Sequence, residues 1–150
     1  MPSQLDPVAE AEMFIAAGKP QRAVDVLQRA LASGRGGLMT RLALGRAHLA
    51  AGNMDSALSE LRIASDLGAG IADAALALGQ ALMAAGHLPA AVAEFERALR
   101  LDSAFDAARY ALGLAWLEAG EPDRAIEILS PLAQGAFATD AKRSFRSPAR

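Results

Sequence analysis

Apolar residues along this chain recur three and four positions apart, in segments of about 12 to 15 residues. The stretch LALGRAHLAAGNMDSAL, which begins at Leu42, and the stretch LALGQALMAAGHLPAAV, which begins at Leu76, show this spacing almost identically. Such spacing places the apolar side chains on one face of an α-helix. No β-branched segment alternates apolar and polar residues between turn signals, as a strand would. The pattern therefore predicts an all-α protein.

The two stretches belong to a repeat with a step of 34 residues, the distance from Leu42 to Leu76. A shift of the sequence by this step aligns small residues with small and large with large along most of the chain. The aligned columns are Gly45, Gly79 and Gly113; Gly18, Gly52, Gly86 and Gly120; Ala23, Ala57, Ala91 and Ala125; and Leu27, Leu61, Phe95 and Leu129. An internal period of this length is typical of a stack of similar hairpins.

Each column has a physical reason that predicts local structure. Glycine inside a helix costs about 1 kcal/mol relative to alanine, so Gly45 and its equivalents predict a close approach by a neighbouring helix. Gly18 and its equivalents follow a predicted helix, where a residue at positive φ is favoured. Pro20, Pro89 and Pro122 then mark helix starts. The sequence thus predicts helical hairpins joined by short glycine turns.

The period, the LGQAL stretch from Leu78, Ala91 and the EFERALRLD stretch from Glu94 resemble the tetratricopeptide repeat. This resemblance implies a right-handed α-solenoid of helix-turn-helix hairpins. We expect a single array over residues 1–139, with repeats at 4–37, 38–71, 72–105 and 106–139. Residues 140–150 are expected to form a short cap, with Phe145 packing on the last hairpin, or a basic disordered tail.

Composition narrows the classes of function and location. Of the 150 residues, 53% are hydrophobic and 21% charged, which is typical of a globular chain. The formal net charge of −2 provides no basic field that would gather nucleic acid. No signal peptide and no apolar run of membrane-spanning length is found, so a cytoplasmic location is expected. The use of alanine, glycine and arginine suggests a bacterial source.

The sequence shows no constellation of residues that would carry catalysis. His48 lies on the apolar face of a predicted helix and is interpreted as a packing residue, while His87 follows a glycine turn. The two histidines lie in different repeats without a third ligand at metal-binding spacing, and no cysteine is present. No glycine-rich phosphate loop follows a strand. We therefore expect no enzyme activity, no metal and no cofactor.

In tetratricopeptide arrays the first helix of each hairpin lines a concave groove that binds peptides or helices. Transfer of these positions residue by residue predicts a partner-binding groove in this chain. Its residues are Glu12, Leu42, Arg46, Leu49, Leu76, Gln80, Met83, Tyr110, Leu114 and Leu117. The resemblance thus implies a non-enzymatic interaction module or scaffold for an apolar or amphipathic protein segment. Arg46 is the only basic residue among them, which argues against capture of a C-terminal carboxylate.

Two other functions are compatible with the sequence. The chain could assemble with itself through the groove or the thinly capped end, forming a homo-oligomer. Nucleic acid is the third possibility, because related 35-residue repeats read RNA. Those repeats are basic, whereas this chain is slightly acidic and keeps the 34-residue step. Only a tail with Lys142, Arg143, Arg146 and Arg150 could contact phosphate, so we expect no nucleic-acid partner.

Overall fold

The computed structural model describes residues 5–144, and from residue 135 onward it describes the backbone alone. Within this range the chain folds into eight α-helices and no strands. The helices are α1 (Pro7–Ala16), α2 (Pro20–Ala32), α3 (Leu38–Ala50), α4 (Met54–Leu67), α5 (Ala72–Ala84), α6 (Leu88–Leu101), α7 (Asp106–Glu118) and α8 (Pro122–Ser144). Consecutive helices pack in pairs as four hairpins, α1–α2, α3–α4, α5–α6 and α7–α8, which stack as a right-handed α-solenoid.

Helix starts follow the signals in the sequence. Prolines occupy the first turn of α1, α2, α6 and α8, where the missing N–H has no intrahelical partner in any case. Asp6 caps α1, and its carboxylate accepts a hydrogen bond of 3.3 Å from the N–H of Ala9. The expected helical hairpins are therefore built from local sequence signals.

The glycine turns inside the hairpins adopt the predicted conformation. Gly18, Gly52, Gly86 and Gly120 have φ between 72° and 81°. After α5, the N–H of Gly86 donates to the carbonyl of Met83 and the N–H of His87 donates to the carbonyl of Leu82. These two hydrogen bonds satisfy carbonyls at the end of α5, and they require Gly86 to adopt a left-handed conformation. The prediction of positive φ is confirmed.

We expect Gly86→Ala to destabilise the protein by about 1 kcal/mol. The left-handed conformation costs an L-residue about 1–2 kcal/mol, partly offset by the lower entropy of the unfolded chain. Gly70→Ala is the matched control, since Gly70 has open space around it and no left-handed φ. Urea unfolding monitored by circular dichroism measures the difference. Equal midpoints for the two variants would contradict this account of the turn.

Glycines inside the helices lie where two helices of a hairpin meet. A Cβ added to Gly79 would lie 2.5 Å from Cε1 of Phe95, and one added to Gly113 would lie 2.5 Å from Leu129. A Cβ on Gly45 would overlap Leu61 in the same way. Each glycine therefore makes room for the large residue of its own second helix. The predicted close approach is confirmed.

The core runs along the stack as two clusters of buried side chains. The first joins α1, α2 and α3 and includes Leu27, Leu44 and Ala47. The second runs from α3 to α7 and centres on Phe95, with Leu42 at its N-terminal end. Helix α3 belongs to both clusters, so the second hairpin buries one face against the hairpin before it and another against the hairpin after it.

Helix α8 is longer than the other second helices and continues to Ser144, with Pro131 in its interior. Proline removes one intrahelical hydrogen bond and favours a kink at that point. Residues 140–144 thus extend the last helix. Phe145, Arg146 and Arg150 lie outside the described residues. The division into repeats at 4–37, 38–71, 72–105 and 106–139, with a cap or tail at 140–150, stays a prediction.

Candidate functional site

The first helices of the third and fourth hairpins, α5 and α7, enclose a cleft of about 610 Å³. The buried ring of Phe95 and the methyl of Ala111 lie deepest in it. Its remaining walls carry Gln80, Met83, Ala84, Ala107, Tyr110, Leu114 and Glu118. Two alanines on opposite walls keep the cleft open, since a methyl fills less space than any longer side chain.

The cleft combines exposed apolar side chains with a concave shape. The side chains of Tyr110 and Leu114 are one helical turn apart on α7, and Tyr110 is 56% exposed. Met83, on the facing wall, is half-buried and packs against the core. Large apolar groups in a concave surface gain free energy when a partner removes them from water. The cleft is thus suited to apolar side chains of a ligand.

The cleft also has polar groups at defined places. Gln80 is exposed on α5 and offers both an amide donor and an acceptor. Glu118 ends α7 and is the only carboxylate among the described residues that line the cleft, which include no lysine or arginine. The charge of the cleft therefore favours a cationic group on a ligand near Glu118.

Four of the predicted groove residues are brought together in this cleft: Gln80, Met83, Tyr110 and Leu114. The assignment of Leu42 and Leu76 to an accessible groove is wrong. These two side chains are 1% and 6% exposed and belong to the core, because the next hairpin covers them. Neither can contact a partner without rearrangement of the stack.

The other predicted residues lie outside the lining of this cleft. Glu12 on α1 and Leu117 on α7 are exposed, and Arg46 on α3 is half-buried. Leu49 is half-buried and packs against the core. Their contact with a partner stays a prediction.

Sequence reasoning missed Ala84, Ala107 and Glu118, which line the cleft with the predicted residues. Glu118 lies four positions after Leu114 and Ala84 four positions after Gln80, so helical spacing could have identified both. Ala107 lies three positions before Tyr110 on the same face.

Two family models, both of the tetratricopeptide repeat, match residues 14–77 and 76–141. The chain belongs to the tetratricopeptide repeat family. Tetratricopeptide repeats are generally non-catalytic modules that contact other proteins, and the chain is accordingly a protein-interaction module. No curated protein is significantly similar to it.

Solved tetratricopeptide structures show the same fold. A crystal structure of MamA is 26% identical, with a TM-score of 0.71 over 84% of this chain and 72% of that one. TTC0263, a thermophilic tetratricopeptide protein of Thermus thermophilus, is 21% identical, with a TM-score of 0.75 over 83% and 70%. YrrB, which has an unusual peptide-binding site, is 22% identical, with a TM-score of 0.69 over 80% and 62%.

The opposite side of the tetratricopeptide stack carries a smaller cleft of about 490 Å³. There the guanidinium of Arg124 lies 4.6 Å from the ring centre of Trp116, at cation–π distance. In the preceding repeat the equivalent space holds Arg97, which bonds to Ser65 and pairs with Glu94 at 2.8 Å. The bond from Arg97 to Ser65 joins neighbouring hairpins, the Arg124–Trp116 contact lies within the last hairpin, and both are explained by packing.

His48 is buried, as its position on the apolar face predicted, and its Nδ1 has no hydrogen-bond partner. His87 is exposed at the start of α6. Among the residues that the structure describes, no three histidine, cysteine, aspartate or glutamate side chains are grouped so that they could hold a metal ion. None of the helices described is both long and apolar enough to span a membrane.

Proposed function

We propose that the cleft between α5 and α7 binds an apolar or amphipathic segment of a protein partner. The observation that carries this proposal is the grouping of exposed Tyr110 and Leu114 with Met83 around one open concavity. The segment presents two or three apolar side chains to these residues and a lysine or arginine to Glu118. The chain then acts as a scaffold that holds this partner.

Each wall of the cleft has a separate role in this binding. Tyr110 offers a large contact area and a hydroxyl, at the entropic cost of two side-chain torsions. Met83 is unbranched and adapts its shape to different apolar groups. Gln80 hydrogen-bonds to the backbone of the bound segment and so fixes its register. Selectivity arises because a ligand acid near Glu118 would be repelled, whereas a ligand base is attracted.

We expect Leu114→Glu to weaken peptide binding about thirtyfold, equivalent to about 2 kcal/mol at a central apolar anchor. A random-peptide display library panned on the wild-type protein provides the probe, and calorimetry measures the affinity of one enriched peptide. Ile63→Glu is the matched control. Ile63 is 39% exposed and Leu114 37%, both lie in helices, and Ile63 is absent from the cleft.

The control distinguishes an effect of the charge inside the cleft from a general effect of an added charge on the protein surface. Ile63→Glu should bind the peptide as tightly as the wild type, and both variants should show the wild-type circular dichroism spectrum. Enriched peptides should carry apolar residues and at least one lysine or arginine. A peptide that binds Leu114→Glu with unchanged affinity would overturn the proposal, as would selection of acidic peptides.

A further inference from the structure

The last hairpin exposes apolar side chains at positions that the earlier hairpins bury. Tyr110 follows Leu42 and Leu76 in the 34-residue register, yet it is exposed and they are core residues. Ile126 follows Val24 and Val92, which are also buried, and it is 64% exposed. In hairpins one to three the following hairpin covers these positions wholly or in part, since Leu58 and the Leu117 equivalents Leu49 and Met83 are half-buried. The last hairpin therefore presents one half of an inter-hairpin contact. We call this surface, formed by Tyr110, Leu117 and Ile126, the rear face.

The first hairpin exposes the other half of the same contact. Ala47, Ala81 and Ala115 are fully buried, and in α3 this position belongs to the cluster formed with the preceding hairpin. The equivalent residue of α1 is Met13, which is 61% exposed. Ala9, equivalent to the buried Ala43, is exposed as well. We call Ala9 and Met13 the front face.

Together the two faces indicate that the partner which covers each of them is a second copy of this chain. Front and rear faces are the two sides of a contact that the chain already forms between each pair of neighbouring hairpins. In that contact, a first helix packs its small residues on the large apolar residues of the hairpin before it. Met13 is larger than the internal alanines and supplies more apolar area to such a contact.

We propose that two copies associate head to tail, with α1 of one copy on α7 and α8 of the other. The contact continues the solenoid across the two molecules. Such a contact is heterologous, since each copy uses a different face, and it leaves one front face and one rear face free. It therefore extends to further copies unless the rotation between copies closes a ring. Tyr110 belongs both to the rear face and to the peptide cleft, so the variants that test self-association are placed at Met13 and Ile126, which do not line the cleft.

Sedimentation equilibrium tests the proposal through the weight-average mass. For the wild type we expect the mass to rise above the monomer value of 15.5 kDa as concentration increases from about 1 to about 500 µM. Ile126→Glu and Met13→Glu should each stay monomeric, with the dissociation constant raised at least thirtyfold, roughly the effect of losing one hot-spot residue. Ile63→Glu, an exposed isoleucine in neither face, should associate like the wild type.

An equimolar mixture of the two monomeric variants gives the decisive result. Ile126→Glu retains an intact front face and Met13→Glu an intact rear face, so the mixture should form a dimer and grow no further. A wild type that stays monomeric over the whole range overturns the proposal. It is also overturned if Met13→Glu alone still associates, which would indicate rear-to-rear contact, or if the mixture stays monomeric. Peptide binding by Ile126→Glu, measured in parallel, reports on the cleft separately.

Discussion

Leu76→Glu is expected to leave the protein largely unfolded at room temperature. Leu76 is almost completely buried where α5 meets the following hairpin, so the leucine contributes about 1.5–3 kcal/mol of apolar burial. A carboxyl group in its place also loses its hydration without a partner, which costs several kcal/mol more. The sum, about 5 kcal/mol or more, is comparable with the whole stability of an ordinary domain.

Urea unfolding followed by circular dichroism measures this effect. Gln80→Glu is the control on the same helix, four residues further on, because Gln80 is exposed. We expect Gln80→Glu to change the free energy of unfolding by less than about 0.5 kcal/mol. If Leu76→Glu unfolds at the wild-type urea concentration, then Leu76 faces solvent and the sequence-based assignment of this residue to the groove is correct.

Phe95→Ala is expected to lower the free energy of unfolding by about 3–5 kcal/mol, the usual cost of removing a buried aromatic side chain. Phe95 has no exposed area and fills the space that Gly79 leaves on the facing helix. Its ring also lies at the base of the cleft between α5 and α7. The substitution therefore removes core contacts and the floor of the peptide site together.

Phe95→Leu is the matched control, because leucine is the residue that faces the equivalent glycine in two other hairpins. Leu61 lies against Gly45 and Leu129 lies against Gly113. We expect Phe95→Leu to cost less than about 1.5 kcal/mol in urea unfolding, because leucine replaces most of the apolar volume of the ring. Equal losses for the alanine and leucine variants would show that the aromatic ring itself, and not the filling of the glycine space, stabilises this hairpin.

The residues that form the turns and the helix contacts within each hairpin could be predicted from the sequence. Gly86 ends a helix in a left-handed conformation, and Gly79 admits the ring of Phe95. Both requirements act over one turn or one hairpin, and the 34-residue step repeats them along the chain. These local steric requirements recur at the same positions of each repeat. They determine the all-α solenoid, and their pattern identifies the family.

The sequence did not predict which residues of the groove are accessible to solvent. Leu42, Leu76 and Tyr110 share one column, and their side chains leave α3, α5 and α7 in the same direction. Burial differs because the hairpin that follows covers the first two and none follows the third within the described chain. The exposure of a side chain depends on the neighbouring hairpins. The repeat position of a residue therefore does not predict whether it is exposed.

The sequence by itself thus determined the helices, the turns between them, the small–large contacts within each hairpin and the family. Only the tertiary structure decided which large side chains remain in contact with water. It placed Tyr110 and Leu114 in an open cleft and left Met13 and Ile126 uncovered at opposite ends of the stack. The physical reason is that backbone sterics act within a hairpin, whereas solvent exposure depends on what packs against it.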